Sequence, residues 1–286
     1  MKLFYFGHHK CGSTWIYSII TSLCKLLDKK QGEYNIPAEY IFDIELAINE
    51  YEFITIRNSE FHHFEPIINE IKAFHVIRDP RDIVVSAYYS HLNSHQTKEW
   101  PELIYYRKKL TELSKEEGLF FVMDYLSSMR VRGSVINIYD NLDSWDYNKN
   151  NILEIKFEDL IINPYNNFLD IFEFLGYLNK KDNNNIKTYL LYLISELPKR
   201  ILKKYFNIDR KIFSLKNITP WQLLNIIYQN SFKFKTSGRS EGIEDINSHY
   251  RKGITGDWKN HFTESHINYF DDHYGQLLNK LGYIDK

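Results

Sequence analysis

Cysteine is almost missing: Cys11 and Cys24 are the only two in 286 residues. Two thiols cannot build a disulfide framework, and their spacing matches no metal site. A charge of one sign is also lacking, because the net charge is −1. That argues against broad binding to nucleic acid or a membrane surface, so any basic site must be local. No charged segment with an apolar run opens the chain, and no apolar stretch approaches membrane-spanning length. The expectation is a soluble, cytoplasmic protein. Neither an internal repeat nor a sharp break in composition appears, so residues 1–286 read as a single domain. What is present is a hydrophobic share of 43%, a charged share of 26%, 22 tyrosines and 19 phenylalanines. A sizeable core and aromatic-lined pockets both follow.

Lys2 to Phe6 reads as a short buried strand, and Ile16, Ile19, Ile20, Leu23, Leu26 and Leu27 then recur at helical spacing. Strands are also predicted at Phe53–Arg57, Ala73–Arg78 and Asn151–Phe157, and helices at Asp82–Leu92 and from Pro164 to Gly176. Glu99–Arg132 reads as a highly charged helical stretch. "NKKDNNNIK" (Asn179–Lys187) reads as a polar loop leading into further helix up to about Asn230. A closing amphipathic helix carries Ile267, Phe270, Tyr274, Leu277, Leu278 and Leu281 and stops at Gly282. Strands alternating with helices predict an α/β fold, with a central parallel sheet covered by helices on both faces.

The link between the first strand and helix is "FGHHKCGSTW", Phe6–Trp15. A glycine loop between strand and helix turns several backbone N–H groups and a helix N-terminus toward one anion. Lys10 adds a charge, and Ser13 and Thr14 add hydroxyls. An ordinary strand-to-helix turn is the bland alternative. The magnesium-dependent phosphate loop G-x-x-x-x-G-K-[ST] is not met, because Ser13 follows Gly12 and the lysine precedes it.

Two more basic clusters stand downstream. "HVIRDPRDIVVSAYYSH" (His75–His91) puts Arg78 at the carboxyl end of a strand, where α/β sheets bind ligands, with Ser86 eight residues on. Arg78, Asp79, Arg81 and Asp82 would equally suit a surface ion-pair network. "RKGITGDWKNHFT" (Arg251–Thr263) sets two cations before Gly253, in a segment able to wrap a phosphate or to lie as a basic surface loop.

Together the three segments resemble the sulfotransferases that use 3′-phosphoadenosine 5′-phosphosulfate (PAPS). Arg251–Thr263 fits that family's C-terminal signature at nearly every residue. Phe6–Trp15 resembles its P-K-S-G-T-T-W loop, with His9 at the proline and Cys11 at the first serine. Arg78 and Ser86 match the arginine and serine of the 3′-phosphate motif. "KFEDLIINP" (Lys156–Pro164) resembles the Y-E-D-L segment, with Phe157 for tyrosine, and "NSFKF" (Asn230–Phe234) the stretch placing an aromatic, here Phe232, near the adenine.

The resemblance implies a P-loop-like sulfotransferase architecture, transfer of a sulfuryl group to a hydroxyl or amine, and 3′,5′-diphosphoadenosine (PAP) as product, with no metal required. Lys10, with Cys11 and the amides of Gly12, Ser13, Thr14 and Trp15, would hold the 5′-phosphosulfate. Arg78, Ser86, Arg251, Lys252 and Gly253 would hold the 3′-phosphate. Ser59 stands where the family carries its catalytic histidine, which leaves His63, Glu60 and His9 as candidate bases. The dimer motif K-x-x-x-T-V-x-x-x-E would start at Lys259. Thr263 fits it, but Glu264 and Asn268 do not, so no dimer is inferred. The acceptor, whether small molecule, glycan or lipid, would be set by loops at His91–Leu142 and Lys180–Lys235. A non-catalytic PAPS- or PAP-binding module and a P-loop nucleotide kinase are the alternatives.

Overall fold

The structure, a computed structural model, describes residues 1–35, 43–98, 100–178 and 217–284. Five parallel strands form the central sheet: β1 (Lys2–Gly7), β2 (Gln31–Tyr34), β3 (Phe53–Ile56), β4 (Ile71–Ile77) and β7 (Ile152–Lys156), ordered β2-β3-β1-β4-β7. Successive residues of β1 serve opposite faces. Leu3 and Tyr5 join Phe53, Phe74, Val76 and Ile155 in one apolar layer, whereas Phe4 and Phe6 join Ile54, Ile56, Ala73 and Ile152 in the other. Both faces are therefore buried, which explains the near-continuous apolar runs in the sequence.

Helix α1 (Ser13–Leu27) covers the first face together with the helices Pro164–Phe174 and Pro220–Gln229. The second face is closed by Ala47 of α2 (Ile44–Glu50), by Phe61, Phe64 and Ile68 between β3 and β4, and by Trp145. A further core lies between α3 (Pro80–Tyr89), α4 (Glu102–Glu112), α5 (Lys115–Leu126), α6 (Ile138–Asp143) and the closing helix Glu264–Leu281. The expected α/β architecture is present, with β1 at the switch point: β2 and β3 lie to one side, β4 and β7 to the other. The crevice beyond the carboxyl ends of β1 and β4 is where such a sheet accommodates a ligand.

Three expectations need correction. The helix predicted at Asp82–Leu92 ends at Tyr89 and widens into one π-turn, Ser90–Ser94. Glu99–Arg132 is not one helical stretch. It breaks at Leu113, restarts on a Ser114–Glu117 capping box, and ends in an antiparallel hairpin of β5 (Met129–Val131) and β6 (Ser134–Ile136). The edge strand β2 was not anticipated, because its sequence QGEY has no apolar alternation and it forms by backbone pairing with β3. The loop predicted at Asn179–Lys187 lies outside the described residues. Of the helix predicted beyond it, Pro220–Gln229 is described and helical.

Asp82 joins the second and third basic segments. Its buried carboxylate accepts hydrogen bonds from the Gly256 and Trp258 amides at 2.7 and 3.0 Å, fixing the turn Asp257–Asn260 on α3. Trp258 in turn packs under the Arg81 guanidinium, 3.8 Å from its ring centroid. Asp82→Ala would leave two amides without acceptors and is expected to cost about 2–5 kcal/mol. Urea denaturation reads that loss, and faster hydrogen exchange at Gly256 and Trp258 locates it.

Candidate active site

The loop after β1 turns because Lys10 and Gly12 both adopt left-handed conformations, at φ 62° and 76°. The Cys11 amide donates to the His8 carbonyl at 3.2 Å, and the Ser13 hydroxyl donates to the same carbonyl at 3.3 Å. No side chain caps α1, and the amides of Gly12, Ser13, Thr14 and Trp15 have no acceptor among the described residues. Four N–H groups at the positive end of a 15-residue helix therefore face the crevice.

Cations surround that helix end. Arg78 leaves β4, donates to the Lys10 carbonyl at 3.0 Å, lies 4.9 Å from the Phe157 ring centroid and pairs with Asp82 at 3.6 Å. Arg251 lies 4.5 Å from the ring centroid of Tyr89 on α3 and pairs with Glu244 and, at 2.5 Å, with Asp257. Lys252 reaches the same Asp257 carboxylate at 2.6 Å. Burial alone would raise the Asp257 pKa, but hydrogen bonds from His261, Lys252, Asn260 and Arg251 hold it well below the usual range. Lys10 moves the other way. Burial, then Arg78 and Arg251, depress its ammonium to about 7.

One cleft collects most of the residues expected from sequence: Lys10, Gly12, Ser13, Thr14 and Trp15 on one side, and Arg78, Ser86, Phe157, Phe232, Arg251, Lys252 and Gly253 on the others. Cys11 is buried beneath the loop, outside the cleft lining, with its thiol toward the His9 carbonyl at 3.7 Å. Among the candidate bases, His9 lines the cleft, with its Nε2 2.9 Å from His91 Nε2. Glu60 and His63 do not line it. They lie at the short turn Phe61–His63, with Glu60 3.9 Å from His62.

The cleft also holds groups that sequence reasoning passed over. Arg57 follows β3, pairs with Glu33 and approaches the Thr14 hydroxyl at 3.5 Å. Its position at a strand's carboxyl end is the signal that selected Arg78. His8, His95, Asn58 and His249 face the same space.

Two glycines allow the walls to close. Gly12 packs against the Phe157 ring and Gly253, at φ 70°, against Phe232, where a Cβ would stand 2.6 Å from the ring. Only a residue without Cβ permits both the left-handed turn and that approach.

The sulfotransferase domain family matches this chain over residues 2–200 and 211–282. The chain belongs to that family. Two curated sulfotransferases resemble it, both called sulfotransferase 1 family member D1. The mouse protein is 25% identical and the rat protein 22%, each over 210 residues and 72% of this chain. The chain spans about half the length of these relatives, matching 54% of each. Among solved structures, mouse sulfotransferase SULT7A1 complexed with PAP superposes with a TM-score of 0.55 at 17% identity, covering 97% of this chain and 84% of that one. Retinol dehydratase in complex with androsterone and inactive cofactor PAP gives 0.54 at 14% identity, covering 97% of this chain and 80% of that one. Both likenesses establish the P-loop-like sulfotransferase fold. Among the described residues no helix is long and apolar enough to cross a membrane.

Gly12→Ala would drive a methyl group into Phe157 at a backbone angle that alanine avoids. The expected outcome is a loss of about 2–4 kcal/mol in stability, read by thermal or urea unfolding. Phe157→Ala in the same chain should relieve part of it.

Proposed function

We propose that the protein transfers the sulfuryl group of PAPS to a hydroxyl or amine of a small molecule, glycan or lipid, releasing PAP. One observation carries this reading: four unpartnered amides and the cations Lys10, Arg78, Arg251 and Lys252 converge on one cleft, in a chain of the sulfotransferase family. PAPS carries phosphates at two separate positions, and we assign the cations of the cleft to them in two groups. Lys10 and the amides of Gly12, Ser13, Thr14 and Trp15 take the 5′-phosphosulfate. Arg78, Ser86, Arg251, Lys252 and the Gly253 amide take the 3′-phosphate, and Phe157 and Phe232 supply apolar walls for the nucleoside.

Sulfuryl transfer resembles phosphoryl transfer in that positioning and charge stabilisation dominate. As the bond from sulfur to the bridging oxygen breaks, negative charge grows on the 5′-phosphate, and Lys10 is the nearest side-chain cation in the loop to balance it. The direct test is transfer of label from 35S-PAPS to a panel of alcohols, phenols, amines and sugars. Binding of ATP with magnesium in strict preference to PAP would overturn the reading in favour of a kinase.

The depressed Lys10 pKa gives a pH signature. A bound anion restores the ammonium, so between pH 7 and the higher value in the complex PAP binding takes up a proton, and affinity falls as pH rises. Calorimetry at about pH 8 in buffers of different ionisation enthalpy reads this uptake, and Lys10→Met should abolish it. Arg251→Ala is expected to weaken PAP binding by about 10- to 100-fold while leaving adenosine 5′-phosphosulfate nearly unaffected. Equal losses for both nucleotides would remove Arg251 from the 3′-phosphate.

A further inference from the structure

His8 stands immediately before the loop that carries Lys10, is almost wholly buried, and lines the cleft. Its Nε2 lies 2.7 Å from His75 Nε2 on β4. His75 Nδ1 lies 2.6 Å from Glu154 Oε2 on β7, and the other oxygen of Glu154 accepts the Trp145 indole N–H at 3.0 Å. Trp145 also stacks on His75, with ring centroids 3.9 Å apart, so the middle of the chain is held on its face as well as at both ends.

With one proton on each ring, a single arrangement of protons satisfies these contacts. An ionised carboxylate only accepts, so His75 Nδ1 carries a proton for Glu154. The Nε2 of neutral His75 is then bare and accepts from His8 Nε2–H. The remaining nitrogen of His8, Nδ1, therefore holds a lone pair, and it makes no hydrogen bond to any described residue. Burial lowers the His8 pKa well below its usual value, which favours the uncharged form a proton acceptor requires.

His9 is the competing group, and its surroundings differ. It pairs with His91 at 2.9 Å, but among the described residues no carboxylate follows, and His91 Nδ1 is buried without a partner. A proton on that pair would be uncompensated: burial depresses both imidazoles, and Lys10 adds to it at each. The His8 chain ends on an anion and the His9 pair does not.

Resting on the sulfotransferase reading, we infer that His8 is the base of the reaction, with His75 and Glu154 as the residues that orient it and carry its proton away. The acceptor oxygen attacks sulfur while its O–H proton passes to His8 Nδ1. The bond from sulfur to the 5′-phosphate oxygen breaks, and the phosphate leaves with the electron pair. The Nε2 proton of His8 moves to His75 Nε2, and the Nδ1 proton of His75 moves to Glu154. Glu154, whose side chain is 24% exposed, releases it to water. One proton enters the chain and one leaves. After product release the reverse shift, with a proton entering at Glu154 and one leaving His8 Nδ1 into the open cleft, restores the starting tautomers.

The test has two readouts on the full-length protein. Long-range 1H–15N spectra of 15N-histidine-labelled protein should give His8 as the Nε2–H tautomer and His75 as the Nδ1–H tautomer. Release of label from bound 35S-PAPS in a single turnover, with water and benzyl alcohol as acceptors, should fall about 100-fold or more in His8→Gln. In Glu154→Gln it should fall about 10-fold, with PAP affinity within twofold of wild type in both. A proton on His8 Nδ1, or an unchanged rate in His8→Gln, would overturn the assignment. Wild-type protein that binds PAPS but passes label to no acceptor would instead overturn the sulfotransferase reading, and the catalytic role of His8 with it. The tautomer spectrum would still report separately on the hydrogen-bond chain.

Discussion

The donor end of this protein is governed by repulsion among its own cations. Lys10, Arg78, Arg251 and Lys252 face one cleft in a chain of net charge −1, and like charges at close range inside a protein oppose one another strongly. Two buried carboxylates make the arrangement tolerable. Asp257 holds Arg251 and Lys252 from behind, and Asp82 pairs with Arg78 while gripping the amides on either side of Asp257. The two acids thus fix the C-terminal signature to α3, so that groups distant in sequence share one wall. Among the described residues Lys10 has no such carboxylate. Burial, and then Arg78 and Arg251, depress its pKa, and that makes Lys10 the cation most responsive to an incoming anion.

The sheet supplies the rest of the geometry. Because the strand order reverses around β1, the loops after β1 and β4 open into the same crevice, and Arg57 after β3 joins from the other side. Glycines at 12 and 253 then let two aromatic rings close onto backbone where any Cβ would hold them off. A helix N-terminus with free amides lies between these walls. Each device is weak alone, and their coincidence at one point marks the site.

Much of this was legible in the sequence because the informative signals are local. The run Gly7, Lys10, Gly12 followed by apolar residues at helical spacing identifies a strand, an anion-binding turn and a helix within about 20 residues. The phase of Arg78 against the apolar run before it identifies a strand end. Two elements lacked such signals. The hairpin strands are three residues each, too short for alternation, and β2 forms because β3 offers it an edge to pair with. The chain His8–His75–Glu154 was invisible for a different reason. Its members are 67 and 79 residues apart and meet only because β1, β4 and β7 are neighbours in register.

That register also separates the two kinds of chemistry the cleft needs. On β4, His75 sits opposite Phe6 of β1 and Glu154 of β7, so its side chain lies on the sheet face that carries Phe6 and Trp145. Arg78, three residues on, has left the strand and turned toward the donor loop. On the proposed reading, one strand therefore delivers both a proton path beneath the sheet and a phosphate-binding cation at its end. The anion side is cationic and draws charge in, whereas the His8 side ends in a carboxylate and draws a proton out. On that proposed reading, such a division lets Ser59 occupy the family's histidine position without loss of a base, because the proton has a second route through the core of the sheet.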